Sequence, residues 1–103
     1  MHPEIADRKD EIAGICRRYD VKRLEVFGSA ARGTDFDREH SDADFLVEFR
    51  PDSDQDPFFR FFDLLDALRH ALGRPVDLVQ PGAIRNRYLQ EAIDRSREAV
   101  YAA

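Results

Sequence analysis

Hydrophobic and polar residues follow two different periods along this chain, and the two periods alternate. Apolar residues that recur every three or four positions predict helices, and apolar residues that alternate with polar ones or form a short run predict strands. The predicted helices cover residues 3–19, 30–32, 57–72 and 83–96. The predicted strands cover residues 23–27, 42–49, 75–79 and 98–101. This order indicates an α/β or α+β fold, in which helices pack against a small mixed β-sheet.

The segment at 42–49, DADFLVEF, has the clearest strand pattern. Successive side chains of a strand point to opposite faces. Asp42, Asp44, Leu46 and Glu48 therefore share one face, and every residue on the other face is apolar. We expect the apolar face to lie in the core.

The helix at 57–72 is strongly apolar, and one broad side of it is predicted to enter the core. The predicted core residues are Phe58, Phe61, Phe62, Leu65, Leu68 and Leu72. Phe59 falls on the polar side, which leaves two alternatives. It packs under the loop at 50–56, or it is an exposed anchor for a partner protein, since aromatic residues are favoured at interface cores.

Length and composition limit the class of protein. The chain has 103 residues and a formal charge of −5, which predicts a single domain over residues 1–103. We expect no membrane span and no secretory signal, because the chain has no apolar run of ~18 residues and no apolar leader region. The lone Cys16 is predicted to be a small buried hydrophobe, and a single cysteine suits the cytoplasm. The acidic balance argues against general binding of nucleic acid, which needs Lys and Arg to neutralise phosphates.

Three carboxylates carry the candidate chemistry. Asp42 and Asp44 lie on one face of a strand with Cβ atoms ~7 Å apart, a spacing at which like charges repel and raise each other's pKa. Asp77 stands between Val76 and Leu78 in the next strand. If that strand lies beside the strand at 42–49, Asp77 completes a three-carboxylate site. Carboxylate oxygens are preferred ligands of Mg²⁺, and such a site can hold two ions ~3.5–4 Å apart for displacement at phosphorus.

Gly28 and Ser29 are candidates for phosphate binding. They follow the strand at 23–27 and precede a short predicted helix. Glycine lets an anion approach the backbone closely, and the free N–H groups of a helix start favour negative charge. The order of strand, Gly-Ser, helix and paired aspartates is coherent with a site for a triphosphate and metal ions.

The segments GSAARG and SDADFLVEF together resemble the signature of the DNA polymerase β-like nucleotidyltransferases. The chain is similar above all to the minimal nucleotidyltransferases, and the resemblance covers nearly all of it. The spacer at 30–41 is two residues longer than is usual in that family, and its extra acidic residues are Asp35, Asp37 and Glu39.

The resemblance implies a polymerase β-like fold, dependence on two Mg²⁺ ions and ATP as co-substrate. It implies that Asp42 and Asp44 bind the metal and the triphosphate, and that Asp77 binds the second metal and helps deprotonate the attacking hydroxyl. Gly28 and Ser29 are implied to hold the β- and γ-phosphates. Arg32 follows the family pattern of a basic residue that contacts phosphate, although a solvated side chain is the alternative.

Among minimal members, the resemblance points to antitoxins paired with a HEPN-domain ribonuclease toxin. Such an antitoxin transfers AMP from ATP to a tyrosine of the toxin and neutralises it, so a hetero-oligomer with the toxin is expected. Two alternatives stay open. The chain acts as an antitoxin by steric binding alone, or it is the catalytic subunit of a small-molecule nucleotidyltransferase whose acceptor domain is a separate chain.

Overall fold

A four-stranded mixed sheet is the centre of the fold in the computed structural model, which describes residues 1–32 and 42–103. The strands are β1 (Val21–Phe27), β2 (Ala43–Phe49), β3 (Val76–Val79) and β4 (Glu98–Ala102). The α-helices are α1 (Pro3–Ala6), α2 (Lys9–Arg18), α3 (Ser29–Arg32), α4 (Pro57–Leu72) and α5 (Arg87–Ser96), and a 3₁₀ turn covers Pro81–Ala83. The predicted mixed sheet with helices packed against it is confirmed, including the short fourth strand.

The strands lie in the order β3-β2-β1-β4. β1 pairs antiparallel with both β2 and β4, whereas β2 and β3 are parallel. In the parallel pair, Asp44 is the register partner of Asp77. The condition set by the sequence, that the third strand lies beside the second, is therefore met, and two of the candidate carboxylates meet across this pair.

The larger core lies between one face of the sheet and helices α2 and α4. Leu24, Val26, Phe45 and Val47 are completely buried there, as the alternation at 42–49 predicts. Cys16 is completely buried in the same core, and burial raises the pKa of its thiol to about 12. A thiol that stays protonated is a poor nucleophile. The prediction that Cys16 is a small buried hydrophobe is confirmed.

The opposite face of the sheet carries a smaller apolar cluster beside the acidic residues. Phe27, Leu46 and Ile93 form it, and Ile93 of α5 is completely buried. Because side chains alternate along a strand, Asp44 lies on this face with Leu46. Helix α5 therefore packs next to the candidate site.

The boundaries of two helices differ from those predicted. The helix predicted at 3–19 is broken into α1 and α2 at Asp7 and Arg8, where Asp7 caps α1 by donating its backbone N–H to the Pro3 carbonyl. The helix predicted from residue 83 begins only at Arg87, because a 3₁₀ turn precedes it and the Asn86 side chain caps it by accepting the N–H groups of Tyr88 and Leu89.

The predicted core side of α4 is partly wrong. Leu64 and Leu68 are completely buried, but Phe58 is 63% exposed and Phe62 is 48% exposed. These aromatic residues lie in the first two turns, where Phe61 packs against the core while Phe58 and Phe62 line an open pocket with Leu78 and Val79 of β3. Phe59 is 64% exposed, which excludes the alternative that it packs under the loop.

Among the described residues, none of the helices has the length and apolar character needed to span a lipid bilayer.

Candidate active site

Two of the three predicted carboxylates meet at the end of the parallel strand pair. Asp44 on β2 and Asp77 on β3 are register partners, and neighbouring strands lie ~4.8 Å apart. Their side chains share one face of the sheet. Asp42 precedes β2 by one residue and is exposed, so it stands at the rim of this pair.

The charge balance at Asp44 follows from this geometry. Burial raises the pKa of the Asp44 carboxyl to about 6, and the negative charges of Asp77 and Asp42 and a side-chain hydrogen bond with Asp77 add to the effect. A cation or a shared proton relieves such repulsion. Positive charge placed next to the pair would therefore stabilise its ionised form.

The fit to Mg²⁺ rests on this pair of oxygen donors. Within residues 1–32 and 42–103, no three His, Cys, Asp or Glu side chains come together as a metal-holding group. Asp44 and Asp77 supply hard oxygen ligands on adjacent strands, and Mg²⁺ commonly takes one or two carboxylates and fills its other positions with water and substrate phosphates. The residues present fit that ion, with Asp42 close enough for its charge to act on Asp44.

Gly28 lies directly against this acidic pair. It follows β1, whose last residue Phe27 is the register partner of Asp44. Gly28 has φ +70°, and a Cβ added there would stand 3.0 Å from Oδ2 of Asp44. Only glycine adopts this conformation at low cost and leaves that space open. Gly28 thus lies next to the Asp44 carboxylate, with no room for a side chain between them.

Helix α3, which follows the glycine, is a single turn that begins at Ser29 and ends at Arg32. A helix this short has little macrodipole, so the predicted phosphate site would rely on backbone N–H groups and the Ser29 hydroxyl, and these roles stay predictions. The role predicted for the Arg32 side chain stays a prediction. The lengthened part of the spacer at 33–41, with Asp35, Asp37 and Glu39, lies outside the described residues.

Sequence reasoning missed a polar group behind the turn. The Ser96 hydroxyl accepts the backbone N–H of Gly28 at 2.9 Å, although the two residues are 68 positions apart. Beside it, Arg97 donates to both oxygens of Glu25 at 2.7 and 2.8 Å. Glu25 is only 4% exposed, and the hydrogen bonds from Arg97 lower the pKa of its carboxyl. Only the Asp94–Arg97 spacing, which allows an ion pair on one helix, hints at this group in the sequence.

Nearly the whole chain matches one known protein family. The nucleotidyltransferase domain family matches residues 9–100. A relative from Methanocaldococcus jannaschii, named "Putative protein adenylyltransferase", is 44% identical over 77 residues, which are 75% of this chain and 74% of that protein. Protein adenylyltransferase MntA of Thermococcus cleftensis is 33% identical over 84 residues, which are 82% of this chain and 77% of that protein.

Solved structures agree with the fold. The structure of a "putative minimal nucleotidyltransferase" has a TM-score of 0.74 and 32% identity, and the match covers 95% of both chains. A complex of a tri-AMPylated Shewanella oneidensis HEPN toxin with an MNT antitoxin contains a chain with a TM-score of 0.63 and 18% identity, over 96% of this chain and 73% of that one. The likeness to that second chain is one of fold. With a family match over most of its length and an Asp44–Asp77 pair beside a Gly-Ser turn, this chain belongs to the nucleotidyltransferase domain family.

Proposed function

We propose that this chain is an antitoxin that transfers AMP from ATP to a tyrosine hydroxyl of a cognate HEPN ribonuclease toxin and so neutralises it. The observation that carries this proposal is the contact of the Gly28 backbone with Asp44, which is itself paired with Asp77. This proximity supports a site in which the Gly28–Ser29 turn binds phosphates beside two carboxylates. Family membership supports nucleotidyl transfer, and relatives named as protein adenylyltransferases support a protein acceptor.

In the proposed reaction, the tyrosine oxygen attacks the α-phosphorus of ATP. A new O–P bond forms, the bond between the α-phosphorus and the bridging oxygen breaks, and pyrophosphate leaves with the electron pair. Asp77, exposed on the edge strand β3, accepts the hydroxyl proton. Gly28 and Ser29 hold the β- and γ-phosphates, with Arg32 as a further phosphate contact.

Asp44 and Asp77, with Asp42 at the rim of the pair, would hold Mg²⁺, which when bound would neutralise charge on the triphosphate and the departing pyrophosphate. The raised pKa of Asp44 supports this assignment, because burial and the neighbouring carboxylates both disfavour its negative charge and a bound cation offsets that cost. Without the cation, the same carboxylates would repel a triphosphate.

The partner in this proposal is supported by the toxin–antitoxin complex of the same fold, in which the HEPN toxin is AMPylated. Exposed aromatic residues on α4 add support, since Phe58, Phe59 and Phe62 leave large apolar areas on the surface. Aromatic residues on a surface are typical of protein contacts.

The test is to mix the purified chain with the toxin encoded beside it, ATP and Mg²⁺, and to measure the mass and the ribonuclease activity of the toxin. We expect the toxin to gain the mass of one or more AMP groups on tyrosine and to lose its activity. The double variant Asp42→Asn, Asp44→Asn should give no mass gain and no protection, because it removes two of the three carboxylates.

A matched control removes two other carboxylates, Asp10 and Glu11, which are exposed on α2 beside the last turns of α4. Asp10→Asn, Glu11→Gln changes the net charge equally and should transfer AMP at the wild-type rate. Full protection by Asp42→Asn, Asp44→Asn without mass gain would instead support neutralisation by steric binding, and the proposal of catalysis would be wrong.

A further inference from the structure

The C-terminal end of α5 is attached to the Gly28–Ser29 turn by a single side chain. Ser96, the last residue of α5, accepts the Gly28 N–H at 2.9 Å through its hydroxyl. The same hydroxyl donates to the Ala92 carbonyl one turn earlier at 3.2 Å. Both functions of the hydroxyl are therefore used, and its orientation is defined by the helix that carries it.

The helix end that carries Ser96 is itself held firmly to β1. Arg97 forms a two-bond contact with the buried Glu25 carboxylate of β1 and also donates to Asp94 at 2.8 Å. Ile93 is completely buried against Phe27 and Leu46. Two-bond arginine–carboxylate pairs have a defined geometry. Ser96 therefore projects from a rigid support, and Gly28, which it binds, lies three residues after Glu25 in the chain.

The position of Gly28 matters because of what lies on its other side. Oδ2 of Asp44 would be 3.0 Å from a Cβ at Gly28, so the backbone of the turn fits closely against the carboxylate. A small displacement of this turn changes the spacing between the phosphate-binding N–H groups and the acidic pair. The hydrogen bond from Gly28 to Ser96 opposes such a displacement from behind.

We infer that Ser96 is a positioning residue, which holds the Gly28–Ser29 turn at the correct distance from Asp44 for the nucleotide triphosphate. Ser96 touches no substrate in this arrangement and acts through the backbone of Gly28. The inference rests on the proposed nucleotidyl transfer, because the turn is assigned to the phosphates there. The inference adds Ser96, which lies 68 positions after Gly28 in the chain, to the residues that shape the site.

The experiment compares ATP affinity and turnover in four variants. Ser96→Ala removes the acceptor, Ser96→Cys keeps nearly the same shape with a much weaker acceptor, and Ser96→Thr keeps the hydroxyl. Ser53→Ala is the matched control, since the Ser53 hydroxyl donates to Asp20 at 2.7 Å and accepts the Gln55 N–H at 3.1 Å. Asp20 precedes β1 and Gly28 follows it, so the seven residues of this strand separate them by ~20 Å.

We expect Ser96→Ala and Ser96→Cys to raise the KM for ATP by about 3- to 10-fold, the cost of one hydrogen bond, with kcat changed much less. Ser96→Thr should restore the KM, and Ser53→Ala should leave it unchanged. The Gly28 amide resonance should move in the Ala and Cys variants and return in the Thr variant. A role in stability alone would lower the melting temperature in Ser96→Ala without this selective rise in KM.

A wild-type KM in both Ser96→Ala and Ser96→Cys would overturn the inference, and so would a fall in kcat at constant KM. The proposed function is checked separately by the wild-type chain. If that chain transfers no AMP, the binding of a non-hydrolysable ATP analogue to the same variants, measured by calorimetry, still decides the role of Ser96. The same 3- to 10-fold loss of affinity in Ser96→Ala and Ser96→Cys supports the inference, and equal affinity overturns it.

Discussion

At the scale of single residues, Gly28 joins backbone conformation to the chemistry of the site. Its φ of +70° is a left-handed conformation, its N–H is bound by Ser96, and its missing side chain leaves room for Asp44. Gly73 is a useful counterpart, because it has φ +63° at the end of α4 and a Cβ added there would meet no atom within 4 Å. The two glycines share a backbone requirement and differ only in their neighbours.

We predict that Gly28→Ala and Gly73→Ala destabilise the protein by similar amounts, about 1–2 kcal/mol, because each forces an L side chain into a left-handed conformation. Only Gly28→Ala should also reduce AMP transfer, by about tenfold or more, since its methyl group displaces the Asp44 carboxylate. Chemical denaturation and transfer rates measure the two effects. Equal transfer rates in both variants would show that the contact with Asp44 has no part in the site.

The Asp44 carboxyl predicts a pH dependence of stability in the protein without metal. Its pKa rises from 3.8 to about 6 on folding, so the folded state resists ionisation of this group. Below pH 3.8 the group is protonated in both states and costs nothing. The free energy of unfolding should therefore fall as the pH rises from about 4 to about 6 and stay lowered above that range.

The variant Asp44→Asn should lack this decrease and, in the presence of EDTA, should be more stable than the wild type at pH 7. It should also lose AMP transfer. Thermal unfolding of both proteins between pH 4 and pH 8 measures the difference. Parallel stability curves over the whole range would contradict the burial and repulsion assigned to Asp44.

At the scale of elements, helix α4 has two distinct functions along its length. Its later turns bury Leu64, Leu68 and Leu72 in the core. Its first two turns carry an exposed aromatic patch of Phe58, Phe59 and Phe62, whose rings are in contact, with centroids 5.4 Å apart for Phe58–Phe59 and 4.7 Å for Phe58–Phe62. The Asp56 cap and Gly73 define its ends.

The exposed aromatic patch predicts where the proposed toxin partner binds. The triple variant Phe58→Ser, Phe59→Ser, Phe62→Ser should keep its stability within about 1 kcal/mol, because these side chains are largely exposed. Its Kd for the toxin should rise about tenfold or more, as for the loss of aromatic residues at an interface. Calorimetric titration of the toxin with the wild type and with the variant measures the change.

Tyr88 and Leu89 provide the control, since they are exposed apolar residues on α5, at 71% and 44%. Tyr88→Ser, Leu89→Ser should leave the Kd unchanged. If this control weakens the complex and the triple variant does not, the toxin binds at α5 and the assignment to α4 is wrong.

At the scale of the whole molecule, the sheet order assembles the candidate site from distant parts of the chain. The parallel pairing of β2 with β3 brings Asp77 to Asp44, and the antiparallel pairing of β1 with β2 brings Gly28 to the same place. The packing of α5 on the acidic face adds Ser96 from near the C-terminus. Each contact is long-range, so the site forms only when the sheet does.

The amino-acid sequence by itself determined the strands with their covering helices and singled out the candidate aspartates, although their pairing needed the sheet. Both follow from local patterns: alternation sets which face each side chain takes, and helical spacing sets which residues are apolar together. The burial of Cys16 follows from the same spacing, and its side chain is 0% exposed in the structure.

Tertiary structure alone decided three other features. It broke the first helix at Asp7, left Phe58 and Phe62 outside the core, and joined Ser96 to Gly28. Local periodicity describes which residues could share a face, but exposure depends on which other elements of the folded chain cover that face. A hydrogen bond between residues 68 positions apart depends on packing of whole elements, and no local pattern of sequence encodes it.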